Sequence, residues 1–315
     1  MNNNKDIRET RIVLTKQQAL EHPWDVYWAR NQSGHSFESA ETEDEKYLAD
    51  FWKHRFSLFP KQASVIDLGT GNGALVARMH TFATDNQCDW TLSGVDIAAI
   101  SPCVRPSENV AFYPNTSITA LPFNDHSQRI LVSQFAIEYA DLKLALGEAD
   151  RVLCTDGKMY FICHATDSVI TRLSHALINV YSALERNGLY DIIDHIESQK
   201  FVDLRSQLLT VVKSARAALV SAVEIEEMTG IMAVFGRIVT SVGQTGEEVT
   251  KANLRGYAYE LLAHRQRLQQ QIDAAQAEAT LTDILKTEMP GRKSSVESIN
   301  VNGHHYAWFV EVKGS

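Results

Sequence analysis

The stretch Val65-Ile66-Asp67-Leu68-Gly69-Thr70-Gly71-Asn72-Gly73 concentrates residue types that hold a polar ligand against bare backbone. Glycine has no Cβ, so Gly69, Gly71 and Gly73 let the main chain approach a ligand closely. A helix starting at Ala74 would present unpaired N–H groups just beyond them. About 20 residues further on, Asp96 follows the apolar segment Trp90 to Val95, where a carboxylate holds ribose hydroxyls. Loop and acid together describe a nucleoside-binding α/β unit. The spacing Gly69-x-Gly71-x-x-Ala74 also fits a dinucleotide site. Asp67 discriminates: its carboxylate would repel a pyrophosphate over the loop and attract a methionine ammonium group.

Such a loop needs a strand before it and a helix after it. Ser64 to Leu68 reads as a short apolar strand and Ala74 to Phe82 as a helix. Trp90 to Val95, Val110 to Tyr113 and Ile130 to Ser133 read as three further strands. Lys143 to Leu153 reads as a helix, Thr155-Asp156-Gly157 as a turn, and Lys158 to Cys163 as a fifth strand. Strands separated by helices imply right-handed crossovers and a parallel, doubly wound sheet. Near the C-terminus, Ser295 to Val301 and His305 to Lys313 flank Asn302-Gly303, a strong β-hairpin signal. The fold expected is α/β: a doubly wound, mostly parallel seven-stranded, Rossmann-like sheet with a large all-helical insert before its last two strands.

Four regions follow. Residues 1–60 hold N-terminal helices that could act as a lid, with His22-Pro23-Trp24-Asp25-Val26-Tyr27-Trp28 and the helical repeat Leu48, Phe51, Trp52, Phe56. Residues 61–166 form the Rossmann-like core. Residues 167–286 carry almost no strand signal; Leu204, Leu208, Val211, Val212 and Ala215 illustrate their helical periodicity. Residues 287–315 return to the sheet. The insert reads as a substrate lid, a dimerisation surface, or both.

The net charge of −9 and the absence of a dense basic run disfavour nucleic acid and an anionic membrane surface as partners. No apolar run reaches the ~18 residues of a spanning helix, and the N-terminus lacks the apolar stretch of a signal peptide. Four cysteines without Cys-x-x-Cys pairing or zinc-finger histidines read as reduced thiols. A cytoplasmic location and no metal site are expected.

The sequence resembles the class I S-adenosylmethionine-dependent methyltransferases. Val65 to Gly73 is similar to their first motif, and Gly94-Val95-Asp96-Ile97 to the second, whose acid binds both ribose hydroxyls. Asn115-Thr116-Ser117-Ile118-Thr119-Ala120-Leu121-Pro122-Phe123 resembles the segment contacting adenine, although relatives often carry an acid where this chain has Asn115-Thr116-Ser117. Ser133-Gln134-Phe135-Ala136 sits where the fourth strand ends. The closing hairpin with Trp308 resembles the family's reversed last strands. The resemblance covers residues 61–166 and 294–313. It implies S-adenosyl-L-methionine as cofactor, held by Asp67, Gly69, Thr70, Gly71, Gly73, Asp96, Ile97, Asn115, Thr116, Ser133 and Gln134.

Ligands in open parallel sheets bind outside the carboxyl ends of the strands. The acceptor side should therefore hold Phe135, Glu138 and Tyr139 after the fourth strand and His164 after the fifth, with Glu138, Tyr139 and His164 as catalytic candidates. The blander expectation is a Glu138 facing solvent on a helix and a His164 capping its strand. Tyr27, Trp28 and His35 are expected over the cofactor or acceptor, or else packed as an aromatic helix on the sheet. Neither Asn-Pro-Pro-Tyr nor Pro-Cys follows the fourth strand, which argues against DNA as substrate. A small-molecule acceptor is the leading expectation. A protein acceptor docked on the insert, and a cofactor-binding scaffold without catalysis, are the alternatives.

Overall fold

The computed structural model describes residues 14–31 and 43–314, so the expectation for His35 lies outside the described residues. The N-terminal region supplies α1 (Lys16–Glu21), α2 (Pro23–Arg30) and α3 (Glu43–Phe56). The sheet region follows with β1 (Gln62–Leu68), α4 (Ala74–Asp85), β2 (Asp89–Val95), β3 (Val110–Tyr113), β4 (Gln128–Gln134), α5 (Leu142–Val152) and β5 (Leu153–Cys163). Then come α6 (Val169–Arg186), α7 (Leu189–Asp194), α8 (Phe201–Ala217), α9 (Ala222–Thr240), α10 (Val242–Thr245), α11 (Glu247–Ala274) and α12 (Glu278–Glu288). The hairpin β6 (Lys293–Val301) and β7 (His304–Lys313) ends the series.

The strands form one seven-stranded sheet in the order β3-β2-β1-β4-β5-β7-β6. The first five are parallel, while β7 runs antiparallel to β5 and to β6. This is the expected architecture. Strand order reverses between β1 and β4, so the crevice at their carboxyl ends is the natural ligand position. Asn302 and Gly303 both have positive φ (52° and 78°), as the hairpin turn requires.

One boundary differs from expectation. Thr155-Asp156-Gly157 lies within β5, which begins at Leu153. Gln128 pairs with Leu153 and Ile130 with Lys158, so the turn-like residues are absorbed as an irregularity between two paired segments. A Cβ at Gly157 would come within 2.6 Å of the Leu153 side chain, so the glycine is needed for that close approach.

Both sheet faces are covered. On one, Leu48, Trp52 and Phe56 of α3 and Leu75, Val76 and Met79 of α4 pack with Val65, Leu92, Val132 and Tyr160. On the other, Ala145, Leu146 and Ala149 of α5 and Leu281 and Leu285 of α12 pack on Ile66, Leu68, Leu131 and Phe161. Double coverage explains why β1 and β4 are near-continuous apolar runs rather than alternating ones. Helix α3 is suited to its dipole, with Glu43, Asp44 and Glu45 in the first turn and Lys53, His54 and Arg55 in the last. Asp141 caps α5 by accepting from the N–H groups of Lys143 and Leu144.

The described residues divide into two compact units: residues 27–31 and 43–178 with 267–314, and residues 14–26 with 179–266. The first contains the whole sheet. The second is helical, and Leu204, Leu208, Val211, Val212 and Ala215 form the buried stripe of α8 anticipated from periodicity. Within it, Ser221 and Glu224 make a capping box at the start of α9. The Tyr181 hydroxyl sits 2.9 Å from Nδ1 of His264. No helix among the described residues is long and apolar enough to cross a membrane.

Candidate active site

The turn after β1 is built almost entirely from backbone. The N–H groups of Gly69 and Thr70 both donate to the carbonyl of Val95 (2.8 and 2.9 Å), folding the loop across the end of β2. Gly69, Gly71 and Gly73 all have positive φ. At Gly69 a Cβ would lie 2.2 Å from Cβ of Ala136, and at Gly71 one would lie 2.3 Å from the indole of Trp28. Gly73 starts α4 without a side-chain cap, so the first turn of that helix offers its N–H groups to a ligand.

Two buried carboxylates flank this cradle. Asp67 accepts from the Thr70 hydroxyl (2.7 Å). Burial pushes its pKa up to about 7 against that hydrogen bond, and the negative charge of Asp96 adds to the rise. At the end of β2, Asp96 accepts from the N–H of Gly71 through Oδ2 (2.7 Å) and of Ala98 through Oδ1 (2.8 Å). Those bonds fix its carboxylate beside the loop. The Thr116 N–H donates to the Asp96 carbonyl (2.9 Å), holding the segment after β3 against it. Asn115 there is exposed and left-handed (φ 53°), and Ile97 is 71% exposed at the outer rim.

Bare backbone, a carboxylate for an ammonium group and a second for vicinal hydroxyls together fit S-adenosylmethionine. When the cofactor is bound, Asp67 would face its cationic part and Asp96 its ribose.

Beyond β4 the chain turns sharply. Phe135 is left-handed (φ 55°), which for a bulky residue is a strained conformation held by its surroundings. Ser133 is fully buried; its hydroxyl donates to the Leu68 carbonyl (2.9 Å) and accepts from the Ile137 N–H (3.1 Å), tying this turn to β1. Gln134 accepts from the Trp52 indole N–H (2.6 Å). Ser133 and Gln134 thus hydrogen-bond to the scaffold.

Glu138 lies on a short 3₁₀ turn, Ile137–Tyr139, and is 3% exposed. The expectation that it faces solvent on a helix is therefore incorrect: the turn is too short to be amphipathic, and the side chain points inward. Its Oε1 accepts from both the backbone N–H and the ring Nδ1–H of His164, each at 2.8 Å. A carboxylate acceptor at Nδ1 places the neutral ring's proton there and leaves Nε2 as its basic nitrogen. The Phe135 ring lies 4.4 Å from the His164 ring, and Tyr139 meets it edge-on at 5.8 Å. Burial and the Glu138 charge hold the Tyr139 phenol well above its ordinary pKa, partly opposed by Arg267. The Tyr139 phenol thus stays neutral.

Sequence reasoning missed several contributors. Arg267, near the end of α11, places its guanidinium 4.5 Å over the Tyr27 ring; nothing in a long helix marks that residue. Asn72 binds two other segments through its side-chain amide. Its place inside the glycine motif was the available signal.

Residues 66–161 match the family model described as a methyltransferase domain. No curated protein sequence matches the chain. Among solved structures it is similar to one in the complex between the Haloferax volcanii Trm112 methyltransferase activator and a methyltransferase, at 23% identity over 45% of this chain and 60% of that one (TM-score 0.36). A second is geranyl diphosphate C-methyltransferase from Streptomyces coelicolor, at 17% identity over 43% of this chain and 54% of that one (TM-score 0.31). A third is an S-adenosylmethionine-dependent methyltransferase from Aquifex aeolicus, at 9% identity over 88% of this chain and 100% of that one (TM-score 0.41). The chain spans less than two thirds of the length of the first two. The family match falls on the segment that carries the glycine loop, Asp96 and the turn after β4. Residues 66–161 are therefore similar to a methyltransferase domain, and the remainder of the chain lies outside that match.

Proposed function

We propose that the protein methylates a small-molecule acceptor whose nucleophilic atom carries a proton, with His164 as general base. The observation that carries this reading is the buried Glu138–His164 pair at the carboxyl ends of β4 and β5. Ala136, two residues before Glu138, touches Gly69 of the cofactor loop, which links the two halves of the site. When bound, S-adenosylmethionine supplies a methyl group already activated on a sulfonium.

The chain's residues then have three tasks. His164 accepts the acceptor's proton at Nε2. Glu138 fixes the tautomer and stabilises the imidazolium that forms, the role a carboxylate plays in other His-based sites. Phe135 and Tyr139 flank the ring and keep water from it, which strengthens electrostatic interactions inside the site. A base is required for a hydroxyl, phenol or protonated amine and dispensable for a thioether or tertiary amine. With His164 only 4% exposed, a compact acceptor entering the site is favoured over a flat macromolecular surface.

The test is transfer of labelled methyl from S-adenosylmethionine in a metabolite extract, for the wild type and for His164→Gln. Label in the small-molecule fraction that is lost with His164→Gln supports the reading. Label confined to the protein fraction, or transfer undiminished by the substitution, contradicts it.

A further inference from the structure

Asn72 stands between Gly71 and Gly73; it is 0% exposed, and both polar atoms of its side chain are hydrogen-bonded. Its Nδ2 donates to the carbonyls of Trp28 (2.9 Å) and Asn31 (2.7 Å) at the C-terminal end of α2. Its Oδ1 accepts from the N–H of Ser101 (2.7 Å), and its carbonyl accepts from the N–H of Cys103 (2.8 Å). One amide therefore joins three segments: the glycine loop, the end of α2, and the stretch that follows Asp96. The carbonyl of Trp28 lies in the last turn of α2 and that of Asn31 just beyond its end.

The same clasp seats an aromatic side chain on the loop. The Trp28 indole packs on Gly71 so closely that any Cβ there would overlap it. The Gly71 N–H is also the donor to Asp96. Asn31 reaches back to the Tyr27 hydroxyl (2.5 Å), so Tyr27 and Trp28 are held as a unit. A side chain able to donate twice and accept once is required, and asparagine is the smallest that does so.

We infer that Asn72 is a positioning residue that couples the end of α2 to the cofactor loop, making Trp28 part of the S-adenosylmethionine site. This rests on the cofactor assignment but not on the acceptor or on His164. Ligand binding at the loop stabilises residues 27–31 and 97–103 together because one amide bridges them.

The experiment uses S-adenosylhomocysteine as probe, with calorimetry and hydrogen exchange on the full chain. In the wild type the ligand should protect amides in 27–31, 67–73 and 97–103. Asn72→Asp keeps the shape but turns the double donor into an acceptor facing two carbonyls. It should raise the dissociation constant at least about tenfold. At saturating ligand, 67–73 should stay protected while 27–31 no longer responds. A residue that merely stabilised the fold would lower the melting temperature without splitting that pattern. Wild-type protection of 67–73 with 27–31 unchanged overturns the inference even if Asn72→Asp does not fold. So does a variant with unaltered affinity and pattern. Failure of the wild type to bind the probe at all would instead overturn the cofactor assignment.

Discussion

Oε1 of Glu138 lies 2.8 Å from both the backbone nitrogen and the ring Nδ1 of His164. This double acceptance fixes the side chain to its own strand end and leaves the ring little freedom to flip. Substituting either partner should then have separable effects. His164→Gln removes the base and should lower kcat by about 10²–10⁴-fold for an acceptor that must lose a proton. Glu138→Gln keeps the shape but lets the ring adopt the other tautomer. It should lower kcat less, by about 10–10²-fold. Steady-state kinetics on the isolated acceptor checks both.

Asp96 accepts backbone hydrogen bonds on each carboxylate oxygen, so its replacement disturbs the loop as well as the ribose site. Charged hydrogen bonds contribute about 1.5–3 kcal/mol each. Asp96→Ala should therefore weaken S-adenosylhomocysteine binding by about 10–10²-fold. Calorimetry decides this, and unchanged affinity would place the ribose elsewhere.

The titration of Asp67 gives a pH dependence with a definite sign. Its pKa is raised by burial from 3.8 to about 7 in the folded chain without ligand. The folded state therefore holds a proton that the unfolded state has lost between those values. The associated stability is fully present below about pH 3.8 and is lost as pH rises through 7. Asp67→Asn, which mimics the protonated form, should raise the melting temperature of the ligand-free protein more at pH 8 than at pH 5. A cationic ligand favours the ionised form, so wild-type cofactor affinity should increase from pH 6 to pH 8. In the variant it should be weaker and nearly flat over that range. Differential scanning calorimetry and titration calorimetry at the two pH values test the two halves.

Gly71 carries a steric prediction. Its φ of 53° and its contact with the Trp28 indole both oppose a side chain. Gly71→Ala should cost about 1–3 kcal/mol of stability through overpacking, measured by chemical denaturation. In a Trp28→Ala background the same Gly71→Ala change should cost less than it does in the wild type, because the steric partner is gone.

The glycine loop and the hairpin were legible because glycine and Asn-Gly report backbone conformation directly. Asp67 and Asp96 were legible from where they fall relative to apolar strands. The Glu138–His164 contact was not, although both residues stood out. Their 26-residue separation is closed only by the parallel pairing of β4 with β5 and by a 3₁₀ turn that periodicity does not reveal. Arg267 acts through a long-range contact that leaves no local pattern, and the place of Asn72 inside the glycine motif does not show which segments its side chain reaches. The start of β5 was misread because Thr155-Asp156-Gly157 has turn chemistry, which the sheet accommodates within the strand instead.

The central claim is that the loop between β1 and α4 holds S-adenosylmethionine. Isothermal titration of the wild-type chain with S-adenosylmethionine and with NAD tests it most directly. The account predicts saturable binding of S-adenosylmethionine that weakens with Asp96→Ala, and no binding of NAD. Absence of heat at about millimolar S-adenosylmethionine, the weak limit of useful affinity, or saturable binding of NAD in its place, would contradict it.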